Sequence, residues 1–288
     1  MTNGSVAALN AAKLFDGDCV VELQFKLYMK ALLNVPAFTF RFRMVRSKGL
    51  KNVGTKKEQK KIAQKVSLSI PSRLLDGSQV SSPISKVESV VAGSMYLARD
   101  FLTQDECRVW VEYSEQVGFE KVYHPASRYM AHRECGRIQI QDWSLAELLY
   151  DRMKQIVQSC HAQIQKGFAP APGFSNYGPV SCNGNIRLYK YEKGMSFGKH
   201  IDESNRTERG ITEITVLIYL TSCQGGATRF FLPHKKEVAI VPQAGTVLLH
   251  VHGDRCLEHS ADAVQEGVKY ILRTDIVYGE CNLKHGKI

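Results

Sequence analysis

Six short runs of strand-forming residues follow one another between Asn185 and Tyr278, with Gly, Pro or Asn between several of them. Turn residues at such short spacing are typical of antiparallel sandwiches and barrels of the jelly-roll type. Strands and helices do not alternate in this half, which argues against a Rossmann-type sheet. The runs are NIRLYKY (185–191), EITVLIYL (213–220), ATRFFL (227–232), KEVAIVP (236–242), GTVLLHVH (245–252) and VKYILRTDIVY (268–278).

Two helices are predicted before this strand-rich half. Thr103 and Glu106 have the spacing of a capping box, and an apolar stripe with helical spacing follows them. Ser144 and Glu147 have the same spacing before a second apolar periodic segment. A strand is expected over 89–102, and the segment 123–139 is interpreted as a polar loop. The sequence therefore predicts a mainly β fold, a double-stranded β-helix or jelly roll, preceded by two helices.

The positive charge of the chain lies in an N-terminal extension. The net charge is +10, and residues 1–66 contribute 13 Lys and Arg against 4 Asp and Glu. Alternating residues in this extension predict strands over 21–27 and 38–44. Residues 41–65 are interpreted as a flexible basic tract or a solvated helix face, with a weak nucleic-acid or acidic-partner contact as the alternative. A Ser-rich linker is expected over 67–88, and a catalytic domain over 89–280.

The composition narrows the class of protein and its compartment. The sequence has no apolar run long enough to span a membrane and no recognisable leader, so we expect a cytoplasmic or nuclear protein without membrane contact. The eight cysteines are scattered without a CxxC pair, and we interpret them as reduced thiols.

The stretch GKHIDESN places His200 and Asp202 two residues apart. Residues i and i+2 of a strand point to the same face, so an imidazole and a carboxylate would point to one place. Such a pair is weak evidence alone, because the chain offers a second one, His252 and Asp254. Residues downstream have to distinguish between them.

The first pair has suitable partners further along the chain. A non-haem iron site needs two imidazoles and one carboxylate on one face of the metal, and His259 can supply the second imidazole. The strand after His259 carries Lys269 and Arg273 on one face. A buried dicarboxylate co-substrate would need such a cation. The second pair has only His285 downstream, without a following strand.

The half from Asn185 to Tyr278 resembles a known family in the order of its motifs. RLYKYEKG, then His-x-Asp, GGATRFF, PQAGTVLLH, a distal His and a Lys ten residues later follow one another in this order. This order resembles the 2-oxoglutarate and Fe(II)-dependent dioxygenases, and among them the prolyl 4-hydroxylase-like catalytic domains. The core of about a hundred residues, 185–278, carries the resemblance.

The resemblance implies roles for individual residues. His200, Asp202 and His259 would bind Fe(II), while Lys269 would bind the remote carboxylate of 2-oxoglutarate, with Arg273 as the alternative. Tyr191 occupies the position of a tyrosine that also contacts the co-substrate. The resemblance further implies O2 as the second co-substrate and ascorbate as a reductant. Many relatives have His-Glu-Gly at the distal ligand where this chain has HSA at 259–261, so an altered pocket shape is expected.

Hydroxylation of a C–H bond is then the expected reaction, with a protein or peptide side chain, or a small molecule, as substrate. Arg187 points the same way as Tyr191 and is a candidate substrate contact. Two alternatives remain open: an AlkB-type nucleic-acid demethylase and a non-catalytic jelly-roll module that binds through the basic N-terminus. The first is disfavoured because Arg273 is followed six residues later by Gly279 and not by a second arginine. The sequence also predicts structural roles for three further histidines, His234, His250 and His252.

Overall fold

The computed structural model describes residues 86–165 and 177–280. Within these residues the chain forms two helices, α1 (Gln104–Val117) and α2 (Trp143–Gln165). The strands in chain order are β1 (Glu88–Val91), β2 (Met95–Ala98), β3 (Glu120–His124), β4 (Arg133–Gln141), β5 (Tyr177–Cys182), β6 (Asn185–Tyr191), β7 (Phe197–His200), β8 (Arg206–Thr207), β9 (Gly210–Tyr219), β10 (Gln224–Gly225), β11 (Thr228–Phe231), β12 (Glu237–Ile240), β13 (Val247–Val251), β14 (His259–Ala261), β15 (Val264–Glu266) and β16 (Lys269–Glu280).

Most of these strands belong to one curled antiparallel sheet. Its order is β1-β2-β13-β9-β16-β6-β4-β7-β14-β11-β12, with β3, β5 and β8 added beside β4, β16 and β9. Strands that are far apart in sequence are therefore neighbours in space, as the jelly-roll prediction requires. The mainly β fold with preceding helices is confirmed, and each of the six predicted strand runs overlaps an observed strand.

The segment before the second helix differs from the prediction. Residues 133–139, interpreted as loop, belong to β4, which pairs with both β3 and β6. The predicted strand over 89–102 is instead the hairpin β1–β2, which turns at Gly93 with a positive φ of 74°. The loop interpretation was wrong because polar side chains of β4 face solvent or a pocket, which hides the alternation that indicates a strand.

The two helix starts also differ from each other. Thr103 caps α1, and both hydrogen bonds of its predicted capping box with Glu106 are present. The predicted box of Ser144 and Glu147 is not the cap of α2. Asp142 takes that place, because its Oδ1 accepts a hydrogen bond of 2.9 Å from the Leu145 amide.

The core is a cluster of buried side chains from many strands of the sheet, and four of them, Tyr189, Tyr191, Leu217 and Ile271, also line the pocket described below. Its members are Met95, Leu97, Cys135, Tyr189, Tyr191, Leu217, Tyr219, Phe230, Ile240, Leu248, Val264 and Ile271. Helix α2 packs against β5, where the Tyr150 hydroxyl donates a 2.7 Å hydrogen bond to the Pro179 carbonyl. The six cysteines in the described segments are free, in agreement with the expected thiols.

Several predictions fall outside the described residues. These are the basic extension 1–66, its two strands and almost all of the predicted linker 67–88. Among the residues that are described, no helix has the length and apolar character needed to cross a membrane.

Gly245 allows a fold-level prediction because its neighbours leave no room for a side chain. Its φ is +84°, and an added Cβ would collide with the Leu102 carbonyl oxygen. Gly194 has nearly the same φ, +85°, with nothing within 4 Å of an added Cβ. We expect Gly194→Ala to lower the unfolding free energy by about 1 kcal/mol and Gly245→Ala by roughly 3 kcal/mol or more.

Urea denaturation of both variants measures the difference directly. Because the backbone strain is the same at the two positions, the extra loss in Gly245→Ala reports the close approach of Leu102. Equal losses in the two variants would contradict this reading of the turn before β13.

Candidate functional site

The pairing of β7 with β14 brings two predicted site histidines together. His259 lies opposite His200 in the antiparallel register, and their ring centroids are 4.2 Å apart. Asp202 follows β7 and is buried, as is His259. One potential ligand atom from each of the three residues lies within 4.8 Å of the other two. The three predicted iron ligands are thus adjacent in the fold, and they could hold a metal ion.

The two imidazoles are held in the same tautomer. His200 Nδ1 lies 2.8 Å from the Gly198 carbonyl oxygen, and His259 Nδ1 lies 2.9 Å from that of Leu257. A carbonyl only accepts, so we assign the proton of each ring to Nδ1, which leaves the Nε2 lone pair available. Burial, assisted by His259, lowers the pKa of His200 to about 4, and burial also lowers the pKa of His259. Both rings are therefore neutral near pH 7, as metal ligands must be.

The carboxylate of Asp202 is fixed through both oxygens. Arg273 Nη1 lies 3.0 Å from Oδ1, and the Thr215 hydroxyl donates a 2.8 Å hydrogen bond to Oδ2. Burial alone would raise the pKa of Asp202, but Arg273 and the neighbouring imidazoles bring it well below its ordinary value. Asp202 is consequently ionised, so the three residues offer one anionic and two neutral donors.

The hydroxyl that binds Asp202 belongs to a longer chain of hydrogen bonds, from Thr215 through His252 to Thr212. Thr215 Oγ1 lies 2.9 Å from His252 Nδ1, and His252 Nε2 lies 3.1 Å from Thr212 Oγ1. Since Thr215 gives its proton to Asp202, we assign the Nδ1 proton of His252 to the bond with Thr215. His252 therefore acts as a neutral relay within the protein, which fits the structural role predicted for it.

A second possible donor set shares His259 with the first. His250 and Cys256 also have ligand atoms within 4.8 Å of His259. The Cys256 thiol, however, lies 4.0 Å from His259 Nδ1, the nitrogen that already donates to the Leu257 carbonyl. Burial raises the pKa of Cys256 to about 11, which disfavours the thiolate that a metal requires. The set of His200, Asp202 and His259 fits a divalent metal better.

The three residues lie at the wall of a pocket of about 420 Å³, a volume that includes its opening to solvent. Aromatic, aliphatic and cationic side chains form most of the remaining wall. The lining residues are Arg133, Tyr189, Tyr191, Phe197, His200, Asp202, Leu217, Thr228, His259, Ser260, Ala261, Lys269, Ile271 and Arg273. Such a pocket, largely apolar with a few polar groups, is typical of small-molecule sites.

Lys269 is the most deeply buried cation of the pocket, with 1% of its surface exposed. Its Nζ donates a 2.6 Å hydrogen bond to the Gly226 carbonyl and lies 5.5 Å from the centre of the Tyr191 ring. Burial lowers its pKa to about 8. Among the described residues no carboxylate forms an ion pair with it, so Lys269 has the capacity to bind an anionic ligand.

Arg273 and Arg187 are in a different situation from Lys269. Arg273 lines the pocket, but its guanidinium pairs with Asp202 and, at 3.4 Å, with Asp275. Arg187 lies opposite Arg273 on β6, does not line the pocket, and pairs with Asp275 at 2.9 Å. The fold thus gives Arg187 a partner in the protein and does not place it at the pocket wall.

Sequence reasoning missed two groups at this site. Thr215 could be found only through its contact with Asp202, since a threonine in a buried strand gives no signal of its own. Arg133 falls in the segment 123–139, which the sequence analysis interprets as a polar loop, whereas β4 carries it to the pocket wall.

One family model matches the strand-rich half of the chain. Residues 186–274, from β6 into β16, match the family model of the 2OG-Fe(II) oxygenase superfamily. The match confirms the resemblance expected from the sequence. No match was found among curated proteins.

Solved structures with a similar chain path are distant in sequence. The viral collagen prolyl hydroxylase of Paramecium Bursaria Chlorella virus-1 is 16% identical with a TM-score of 0.45, covering 64% of this chain and 95% of the viral one. A Trichoplax adhaerens prolyl hydroxylase, in complex with a hypoxia inducible factor peptide, is 17% identical with a TM-score of 0.45, covering 78% and 94%. OsALKBH1 is 13% identical with a TM-score of 0.46, covering 67% and 100%.

Thr215 offers a test of the hydrogen-bonded support behind Asp202. Thr215→Val keeps the shape of the side chain but removes the hydroxyl that orients the carboxylate. We expect the affinity for Mn²⁺ to fall about tenfold, the usual effect of losing an outer contact of a ligand. The electron paramagnetic resonance signal of unbound Mn²⁺ measures this affinity.

Thr246→Val is the matched control, because Thr246 is also a buried threonine but its hydroxyl has no hydrogen-bond partner among the described residues. Its Mn²⁺ affinity should equal that of the wild type. An unchanged affinity in Thr215→Val would show that Arg273 alone orients Asp202.

Proposed function

We propose that the protein is an Fe(II)- and 2-oxoglutarate-dependent dioxygenase that hydroxylates a C–H bond, in the manner of prolyl 4-hydroxylases, on a protein or peptide side chain. One observation carries the proposal. Two neutral imidazoles and an ionised carboxylate have ligand atoms within 4.8 Å of one another. They lie at the wall of a pocket that also contains a buried lysine, which pairs with no carboxylate of the described residues.

His200 Nε2, His259 Nε2 and an oxygen of Asp202 are the proposed iron ligands. Two imidazoles and one carboxylate form the donor set that non-haem iron oxygenases use, with open positions left for other ligands. When bound, Fe(II) with 2-oxoglutarate and O2 supplies hydroxylation of a C–H bond, with succinate and CO2 as the other products. Ascorbate as a reductant is proposed from the family resemblance alone.

The co-substrate would be held by residues of β6 and β16. Lys269 is the proposed partner of the remote carboxylate, because a buried anion needs a charged donor and no acidic side chain in the described segments pairs with this ammonium. Tyr191 lies opposite Lys269 in the register of β6 and β16, so its hydroxyl is a second candidate donor to the same ligand. Arg273 is then assigned to Asp202, which it keeps ionised and oriented.

The proposed substrate is a protein or peptide side chain. Apolar side chains of Leu217 and Ile271 line the pocket that would receive it. Two of the similar structures belong to prolyl hydroxylases, one of them bound to a peptide, which fits a peptide side chain as substrate.

A visible absorption band tests this proposal before any substrate is known. Fe(II) chelated by a 2-oxo acid absorbs visible light through charge transfer, so we expect a band when the metal-free protein is mixed anaerobically with Fe(II) and 2-oxoglutarate. His200→Ala should abolish the band, while His234→Ala, a change in an exposed turn, should retain it. A folded wild-type protein without a band would contradict the proposal.

The same titration separates the two candidate cations. Lys269→Gln should raise the 2-oxoglutarate concentration at half saturation by roughly a hundredfold, the loss expected for one buried charged hydrogen bond. Arg273→Gln should change it much less, because that guanidinium is engaged by Asp202 and Asp275. A larger effect in Arg273→Gln would transfer the carboxylate-binding role to Arg273.

Lys269 should also lower the stability of the ligand-free protein. Its pKa falls from 10.5 to about 8 on folding. Burial of the charged ammonium therefore lowers the unfolding free energy at pH 7. Lys269→Met should raise the unfolding free energy by up to roughly 3 kcal/mol at pH 7. Between pH 8 and 10.5 the wild-type lysine is neutral when folded but charged when unfolded, so wild-type stability rises and the advantage of the variant shrinks.

Urea denaturation at pH 7 and pH 9.5 without ligand measures both effects. Lys154→Met, at an exposed position of α2, is the control and should leave stability nearly unchanged at either pH. A Lys269→Met variant less stable than wild type at pH 7 would contradict the account of an uncompensated buried charge.

A further inference from the structure

Arg133 lies beside the proposed iron site, and the function proposed above gives it no role. It pairs with Phe197 in the register of β4 and β7, and its side chain lines the pocket. The guanidinium carbon is 4.5 Å from the centre of the Phe197 ring and 4.9 Å from that of Tyr189. Phe197 also stacks on His200, with centroids 3.7 Å apart. A single aromatic ring therefore contacts both Arg133 and a proposed metal ligand.

Arg133 differs from the neighbouring arginines in its charge partners. Among the described residues no Asp or Glu forms an ion pair with it, whereas Arg187 and Arg273 both pair with Asp275. Its Nε is buried and has no hydrogen-bond partner in the described part of the chain. A guanidinium in a partly desolvated pocket attracts anions far more strongly than one in water.

The remaining charges of the pocket are already assigned. Arg273 pairs with Asp202, and Lys269 is the proposed partner of the 2-oxoglutarate carboxylate. Among the cations that line the pocket, Arg133 is then the one to which neither an acidic side chain of the described residues nor the proposed co-substrate is assigned.

We propose that Arg133 recognises an anionic group, a carboxylate or a phosphate, on the molecule that is hydroxylated. This inference rests on the proposed function and narrows its substrate class to acidic acceptors. A planar guanidinium can contact two oxygens of one anion through its in-plane N–H groups, and the Nε–H of Arg133 has no hydrogen-bond partner among the described residues. Because Phe197 connects Arg133 to His200, the bound anion would orient a neighbouring C–H bond toward the metal.

A binding experiment with matched probes tests the charge preference. The full chain is loaded with Mn²⁺ and 2-oxoglutarate and titrated by calorimetry with N-acetyl-L-proline, N-acetyl-L-prolinamide and inorganic phosphate. The wild type should bind the acid at least tenfold more tightly than the amide, and Arg133→Gln should bind the two equally. Arg133→Lys should keep part of the preference, since it retains the charge but loses the planar fork.

Arg128→Gln is the matched control, because Arg128 is an exposed arginine five residues earlier and does not line the pocket. It should keep the full preference for the acid. Tighter binding of phosphate than of the acid would identify a phosphate-bearing acceptor, and the reverse a carboxylate-bearing one. Equal binding of acid and amide by the wild type, or no detectable binding of either, would overturn the inference.

The 2-oxoglutarate titration distinguishes this failure from failure of the proposed function. Arg133→Gln should keep the wild-type affinity for 2-oxoglutarate, which also shows that the variant is folded. A weakened affinity would make Arg133 a co-substrate contact, which overturns the inference but leaves the dioxygenase proposal intact. If the wild type forms no Fe(II) and 2-oxoglutarate complex, the proposed function is wrong, and acid and amide binding to the metal-free protein still tests the preference of Arg133.

Discussion

The antiparallel pairing of β7 with β14 is the constraint on which the proposed site depends. It places His200 opposite His259 although 58 residues separate them in the chain, and β11 supports the pair by placing Phe230 opposite His259. Successive side chains of a strand alternate between faces, so a slip of one residue in β14 would turn His259 away from His200. The tautomer of each imidazole follows from the same backbone, because each Nδ1 meets the carbonyl two residues earlier.

The two cations of β16 that line the pocket differ in their charged neighbours, and this difference suits them to different roles. Lys269 and Arg273 lie on the same face of β16, four residues apart, and the sequence does not distinguish them. Their surroundings do: Arg273 meets Asp202 and Asp275, whereas Lys269 meets a backbone carbonyl and two aromatic rings. The neutralised Arg273 orients a proposed metal ligand. Lys269, which has no acidic partner among the described residues, is suited to bind an anion from solution.

Much of this arrangement was accessible from the sequence, for identifiable reasons. The spacing of His200 and Asp202 and the distal His259 predicted that these three residues lie together, as the structure shows. The alternating apolar runs predicted the mainly β fold, because strand periodicity depends on local residue order. The cap of α2 at Asp142 and the strand β4 were mispredicted, because polar residues are compatible with both loops and half-exposed strands. The contacts of Thr215 and Arg133 depend on which distant strands are neighbours, and single-sequence patterns do not contain that information.

The position of the bound metal is the most direct test of the account. We would determine a crystal structure of the protein with Mn²⁺ and 2-oxoglutarate and locate the metal by its anomalous scattering. The account predicts one peak bounded by His200 Nε2, His259 Nε2 and the Asp202 carboxylate, with a 2-oxoglutarate carboxylate at Lys269. A peak between His250, Cys256 and His259, or none at all within the pocket, would contradict it.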